Sequence, residues 1–152
     1  MSRDPAAREG LDPEVVAQSE AALDGLFGPG AGAAHSRFLE HLDSNTLQET
    51  LHRYHAMECD ETHLSVEENY LIGMCVMCAS RAFGPAAMFA KTLMHIGTPR
   101  EKILEAVTRL SMWVGGVQAA EAAAHVQRAI RQYERTGLAS MEAWFPPAEE
   151  AA

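Results

Sequence analysis

A dense group of side chains capable of chemistry lies in the first half of the chain: His52, His55, Cys59, Asp60 and His63. Zinc binds histidine nitrogen and cysteine sulfur, but the spacing of this group matches no standard zinc site. We therefore predict no metal site here. Because histidine titrates near neutrality and is the most common general acid or base, proton transfer is the chemistry that this group favours.

The two histidines closest to the following helix are the candidates for that role. His55 and His63 flank a polar segment, and Tyr70 lies two turns inside the helix that the segment enters. We predict that these three residues catalyse proton transfer in a pocket. The residues predicted to line this pocket and bind the substrate are Met74, Phe89 and Trp113. The alternative is that both histidines are solvated and Tyr70 simply packs.

A second candidate is the Cys-x-x-Cys formed by Cys75 and Cys78. Redox dithiols usually lie at a helix N-terminus, where the helix dipole stabilises the thiolate. These two lie mid-helix among apolar residues, where burial favours the neutral thiol. Packing is therefore the favoured role, and redox chemistry is the alternative.

Capping signals divide the first half of the chain into helices. Asp12, followed by Pro13 and Glu14, predicts a helix that runs to about residue 27. The glycine-rich segment 28–32 ends it. A short helix is predicted over about 34–42, and a further helix over about 43–57.

The second half begins with a capping box, in which Ser65 and Glu68 serve each other's backbone amides. The helix that it opens carries no charge over residues 70–79, which predicts a helix buried on all sides. Pro85 is predicted to begin the next helix, which ends near residue 96. Thr98 and Glu101 then form a second predicted capping box.

That capping box opens a helix predicted to run to Gly115, and a last helix is predicted over about 117–135. Ile103 and Val107 share the apolar face of the helix that begins near residue 100. In the last helix His125 follows Glu121 by four residues, a spacing typical of a surface pair. No alternation typical of strands occurs. The fold class predicted is therefore all-α, an antiparallel bundle of about six to seven helices. Residues 1–11 are predicted to be a flexible leader, 12–136 a single domain, and 137–152 a tail.

Charge narrows the range of partners. The 152 residues include 12 basic and 21 acidic side chains, for a net charge of −9. Such a chain repels phosphate and anionic lipid, so nucleic acid and membranes are disfavoured as partners. No secretory signal is apparent, and no apolar run reaches the ~20 residues that span a bilayer. We predict a cytoplasmic protein.

Three segments together resemble a known superfamily. They are Leu64-Ser65 before the apolar helix, the run from Gly97 to Ile103, and Trp113-Val114-Gly115. In these segments the chain resembles the carboxymuconolactone decarboxylase and alkylhydroperoxidase D-like superfamily, over about residues 45–130. The resemblance implies an all-α fold of antiparallel helices that assembles into trimers or hexamers, with pockets between helices near the subunit contacts.

The chain departs from that superfamily at its reactive positions. Counting back from Gly97, Phe89 occupies the position of the histidine, and Tyr70 that of the glutamate. Pro85 and Ala82 occupy the two cysteine positions. None of these four side chains can perform the chemistry of the residue that it replaces, so the usual mechanism of the superfamily does not transfer.

The function predicted from sequence is a cofactor-independent lyase or isomerase, similar to a decarboxylase, that acts on a small organic acid or polyketide-like metabolite. Histidine and tyrosine would catalyse this reaction by acid–base chemistry in an apolar interface pocket. The predicted assembly is a homo-oligomer. The first alternative is a non-catalytic ligand-binding or assembly subunit that kept the fold. The second is a thiol-dependent peroxidase or disulfide reductase that uses Cys75 and Cys78.

Overall fold

The computed structural model describes residues 12–38, 46, 49–50 and 63–138. These residues contain helices and no strand, which confirms the all-α class. They belong to two compact units, with the helices of residues 13–38 in the first and those of residues 66–136 in the second. The leader and most of the tail lie outside the described residues, and the domain bounds stay a prediction.

The first unit contains helices α1, Pro13–Phe27, and α2, Ala31–Phe38. The Asp12 carboxylate accepts a hydrogen bond from the Glu14 amide at 2.9 Å, so the predicted cap of α1 is confirmed. Helix α2 begins three residues before the predicted start. Of the helix predicted over 43–57, the structure describes residues 46, 49 and 50, which are helical; the rest lies outside the described residues.

The early start of α2 has a tertiary cause. The amide of Gly32, in its first turn, donates to the Asp24 carboxylate of α1 at 2.7 Å. A Cβ atom at Gly32 would collide with the backbone of Glu20. The two helices therefore approach so closely that only glycine fits at this point.

The second unit contains α3, Val66–Ala79; α4, Phe83–His95; α5, Arg100–Arg109; α6, Ser111–Val114; and α7, Gly116–Thr136. Helix α4 packs against α3 and α7, and α5 packs against α7. The fully buried side chains at these contacts are mainly aliphatic, among them Met74, Leu93, Ile103, Val126 and Ile130. Their burial supplies the main stabilisation of this unit.

Both ends of α3 follow from local sequence. The Ser65 amide donates to the Glu68 carboxylate at 2.8 Å and the Glu68 amide donates to Ser65 Oγ at 3.2 Å, which confirms the capping box. At the other end Arg81 adopts a φ of 61°. The Ala82 amide then donates to the Met77 carbonyl at 2.8 Å, which closes a Schellman turn with arginine in place of the usual glycine.

Three predictions about helix ends in this unit are wrong. Helix α4 begins at Phe83, two residues before Pro85. Thr98 does not cap α5: Pro99 is the N-cap residue and no side chain binds the free amides. Thr98 is instead buried, and its amide donates to the Leu93 carbonyl at 2.9 Å, which holds it against the end of α4. The helix predicted from residue 100 to Gly115 is two helices, α5 and α6.

Within one copy of the chain, α3 is not buried on all sides, and its burial in an assembly stays a prediction. Tyr70, Met74 and Cys78 are buried, but Ile72 is 50% exposed and Val76 is 56% exposed. Its described neighbours α4, α5 and α7 thus cover one face and leave an apolar face open. No helix among the described residues has the length and apolar character needed to span a bilayer.

Candidate functional site

Tyr70 and Phe89 form the centre of the predicted pocket, and the structure brings them together. Their ring centroids are 5.1 Å apart with an interplanar angle of 65°, an edge-to-face contact between α3 and α4. Phe89 also lies over Gly73, where a Cβ atom would come within 2.7 Å of the ring. Tyr70 is 2% exposed. These contacts are those of a packed core.

The other two residues predicted to bind substrate lie in different environments. Met74 is fully buried, one turn after Tyr70 on the same face of α3. Trp113 lies on α6 and is 82% exposed. The structure therefore groups Met74 with the Tyr70 core, whereas Trp113 faces solvent.

Of the two predicted catalytic histidines, the structure describes His63. His63 is exposed, three residues before the start of α3. His55 lies outside the described residues. The convergence of His55, His63 and Tyr70 on one cavity therefore stays a prediction.

The two cysteines of α3 are free thiols in the described chain, Cys75 half-buried and Cys78 buried. Burial raises the pKa of the Cys75 thiol. Burial, reinforced by repulsion from Cys75, raises the pKa of Cys78 to about 11. Both lie in the second half of α3, where the negative end of the helix dipole also disfavours a thiolate. These features favour packing over redox chemistry.

No metal site forms within residues 12–38 and 63–138: nowhere there do three histidine, cysteine or acidic side chains converge. The remaining members of the sequence group, His52, Cys59 and Asp60, lie outside the described residues. The expectation that no metal is bound stays a prediction.

Two further histidines pack against aromatic rings of neighbouring helices. His125 of α7 stacks on Phe83, with centroids 4.6 Å apart and rings inclined by 8°. Its predicted surface pair with Glu121 is wrong, because the Glu121 carboxylate binds Arg81 at 2.8 Å. Near the end of α4, His95 Nδ1 lies 3.4 Å from the Tyr133 hydroxyl.

The most unusual surface of the second unit lies where α6 turns into α7. Met112 is 78% exposed, Trp113 is 82% exposed and Val117 is 88% exposed. We call these three residues the α6–α7 patch. Gly115 makes the turn between α6 and α7 with a φ of 86°, a backbone conformation that residues other than glycine rarely adopt. Three large apolar side chains are thus exposed to solvent around this turn.

A second exposed apolar surface lies on α3. Ile72 and Val76 lie four residues apart on that face, and we call them the α3 stripe. At the end of α3, the Ala79 carbonyl accepts a hydrogen bond from the Gln118 side-chain amide at 2.6 Å. Because Gln118 adjoins Val117 in the chain, the end of α3 lies beside the start of α7.

Sequence reasoning missed the α6–α7 patch, although a signal was present. Residues 112–117 contain four apolar side chains and two glycines and carry no charge. Glycine pairs interrupt helices, so an apolar run around one marks a turn, and turns usually lie at the surface. Comparison of the chain with protein-family models, curated proteins and solved structures found no match.

Proposed function

We propose that this chain is an assembly subunit, which associates with further copies of itself through the α6–α7 patch. The exposure of Met112, Trp113 and Val117 carries the proposal. Single exposed apolar residues are common on monomers, whereas contiguous ones mark contact sites. The α6–α7 patch would thus form the contact between the subunits of the predicted homo-oligomer.

The size of the patch suits a subunit contact. Trp113 alone can bury ~150–250 Å², and together with the exposed Met112 and Val117 it presents on the order of a few hundred Å² of apolar surface. The largest apolar patch on a typical monomer is about 300–600 Å² and is often functional. A standard interface buries about 800 Å² per partner. The patch supplies the apolar centre of such an interface.

A second copy of the chain is the partner that this surface fits best. An isologous contact places the patch against itself, so that none of its three side chains meets a charge. The net charge of −9 disfavours anionic membranes and nucleic acid as alternatives. The superfamily resemblance implies trimers or hexamers; a hexamer can contain an isologous contact, whereas a trimer is built from heterologous ones.

A charge placed in the patch tests the proposal. Trp113→Glu removes the largest apolar side chain and places a carboxylate where the two copies would meet. We expect sedimentation velocity at micromolar concentration to show an oligomer for the unsubstituted chain and a monomer for this variant, because an unpaired buried charge is costly.

Leu64→Glu is the matched control. Leu64 is also an exposed apolar residue, but it precedes the N-terminal end of α3, whereas the α7 contact lies at the C-terminal end. This control should keep the mass of the unsubstituted chain. A monomeric unsubstituted chain, or an oligomer that survives Trp113→Glu, would overturn the proposal.

The lyase or isomerase interpretation stays a prediction. The described geometry gives it less support, because Tyr70 is packed against Phe89 while His63 and Trp113 face solvent. The thiol peroxidase interpretation has less support still, because the raised pKa values of Cys75 and Cys78 oppose a reactive thiolate.

A further inference from the structure

The second half of α7 carries a charged concavity at a distance in sequence from the α6–α7 patch. Arg128, Arg131 and Arg135 line it together with Glu134, and its volume is about 420 Å³. The arginines are three and four residues apart, so they share one side of the helix, and all three are exposed. We call these three residues the arginine groove.

The arginines of the groove have no acidic partner among residues 12–38 and 63–138. Among the described residues, the carboxylate that lines the concavity is that of Glu134, and Arg100 from α5 binds it at 3.1 Å. By contrast, Arg109 on α5 is paired with Glu105 one turn earlier. The groove is therefore a site of concentrated positive charge in a chain whose net charge is −9.

This arrangement is unfavourable for the helix alone. Like charges three or four residues apart on a helix repel each other. The negative end of the helix dipole compensates cations in the last turn only, and of the three only Arg135 lies there. Arg128 and Arg131 therefore carry a repulsion that an anion in the groove would relieve.

We propose that the arginine groove binds a small molecule with one or two oxyanionic groups, phosphate or carboxylate. The planar guanidinium group donates two parallel hydrogen bonds to either group. The four lining residues all lie on α7, so the concavity is open to solvent and would hold its ligand by charge and hydrogen bonding at the helix surface. From Arg128 to Arg135 the helix rises about 10 Å, which fits one small ligand and is too short to track a nucleic-acid backbone.

Titration calorimetry on the full chain tests this site. Inorganic pyrophosphate and citrate serve as the probes for the phosphate and carboxylate forms of the ligand. We expect saturable binding of at least one probe, at one site per chain, and affinity that weakens as the salt concentration rises. The probe that binds more tightly identifies the oxyanion.

Arg131→Gln removes the central guanidinium, and Arg109→Gln is the control with the same change of charge outside the groove. We expect Arg131→Gln to weaken binding about tenfold or more and Arg109→Gln to change it less than about twofold. Equal weakening by the two variants, or no saturable binding of either probe at millimolar concentration, would refute the proposal. Because the groove is separate in sequence from the α6–α7 patch, Arg131→Gln should also leave the sedimenting mass unchanged.

Discussion

The position of Cys78 within α3 determines how readily its thiol ionises. It lies in the last turn of α3, fully buried and one turn from Cys75. Burial, the neighbouring thiol and the helix C-terminus all disfavour its thiolate. The Cys-x-x-Cys spacing is typical of redox proteins, but its environment here is opposite to the one that activates a thiol.

The pKa of Cys78, raised from 9.0 to about 11, gives a prediction for its reactivity. Such a rise lowers the thiolate fraction at pH 8 on the order of a hundredfold. We expect iodoacetamide to alkylate Cys78 far more slowly in the native chain than in urea, in a Cys59→Ser background that removes the third thiol. Mass spectrometry of the modified peptides measures both rates. Equal rates in the two conditions would show that Cys78 is accessible and ionised.

The same raised pKa links stability to pH. The folded state holds the Cys78 proton more tightly than the unfolded state, so its contribution is complete below pH 9 and is lost as pH rises toward 11. The free energy of unfolding should therefore fall over this interval. In Cys78→Ala, urea titrations should show a smaller fall.

At the scale of elements, the contact between α1 and α2 is the most restrictive in the first unit. Gly32 lies against the backbone of Glu20, which cannot move away without displacing α1. Gly25 lies in α1 itself, and a Cβ atom there would meet nothing within 4 Å.

These two glycines form a matched pair for substitution. Gly32→Ala should separate α1 from α2 and lower the free energy of unfolding by about 1–3 kcal/mol. Gly25→Ala should raise it by about 0.5–1 kcal/mol, because alanine has the higher helix propensity. Urea unfolding measures both. A Gly32→Ala variant as stable as Gly25→Ala would contradict the close approach of the two helices.

The elements also show which features the sequence could predict. The caps at Asp12 and Ser65 depend on residues within one turn, so their local patterns were sufficient. Thr98 has the same type of pattern, but burial against the end of α4 prevents it from capping. The start of α2 depends on the contact of Gly32 with α1, which no local pattern encodes.

The candidate site was less predictable than the fold for a related reason. An apolar residue type favours burial but does not specify which face of a helix has a neighbour. The uncharged sequence of α3 therefore predicted burial on all sides, whereas Ile72 and Val76 are exposed. Trp113 was expected inside a pocket on the same grounds and faces solvent. Both features depend on how the helices are arranged.

At the scale of the whole molecule, an acidic chain combines an apolar surface with a local basic one. Net charge of one sign keeps copies of a protein apart at long range. Association therefore needs a contact that is uncharged at its centre, and the α6–α7 patch meets that condition.

The fluorescence emission of Trp113 reports directly on self-association through the α6–α7 patch. In a Trp144→Phe background Trp113 is the one tryptophan left. If Trp113 is buried in the contact, its emission should be blue-shifted and protected from a soluble quencher at micromolar concentration. On dilution the emission should shift to the red and become quenchable over the same range in which the sedimenting mass falls. Red-shifted, fully quenchable emission at every concentration would rule out this contact, because Trp113 would then face water whatever the state of assembly.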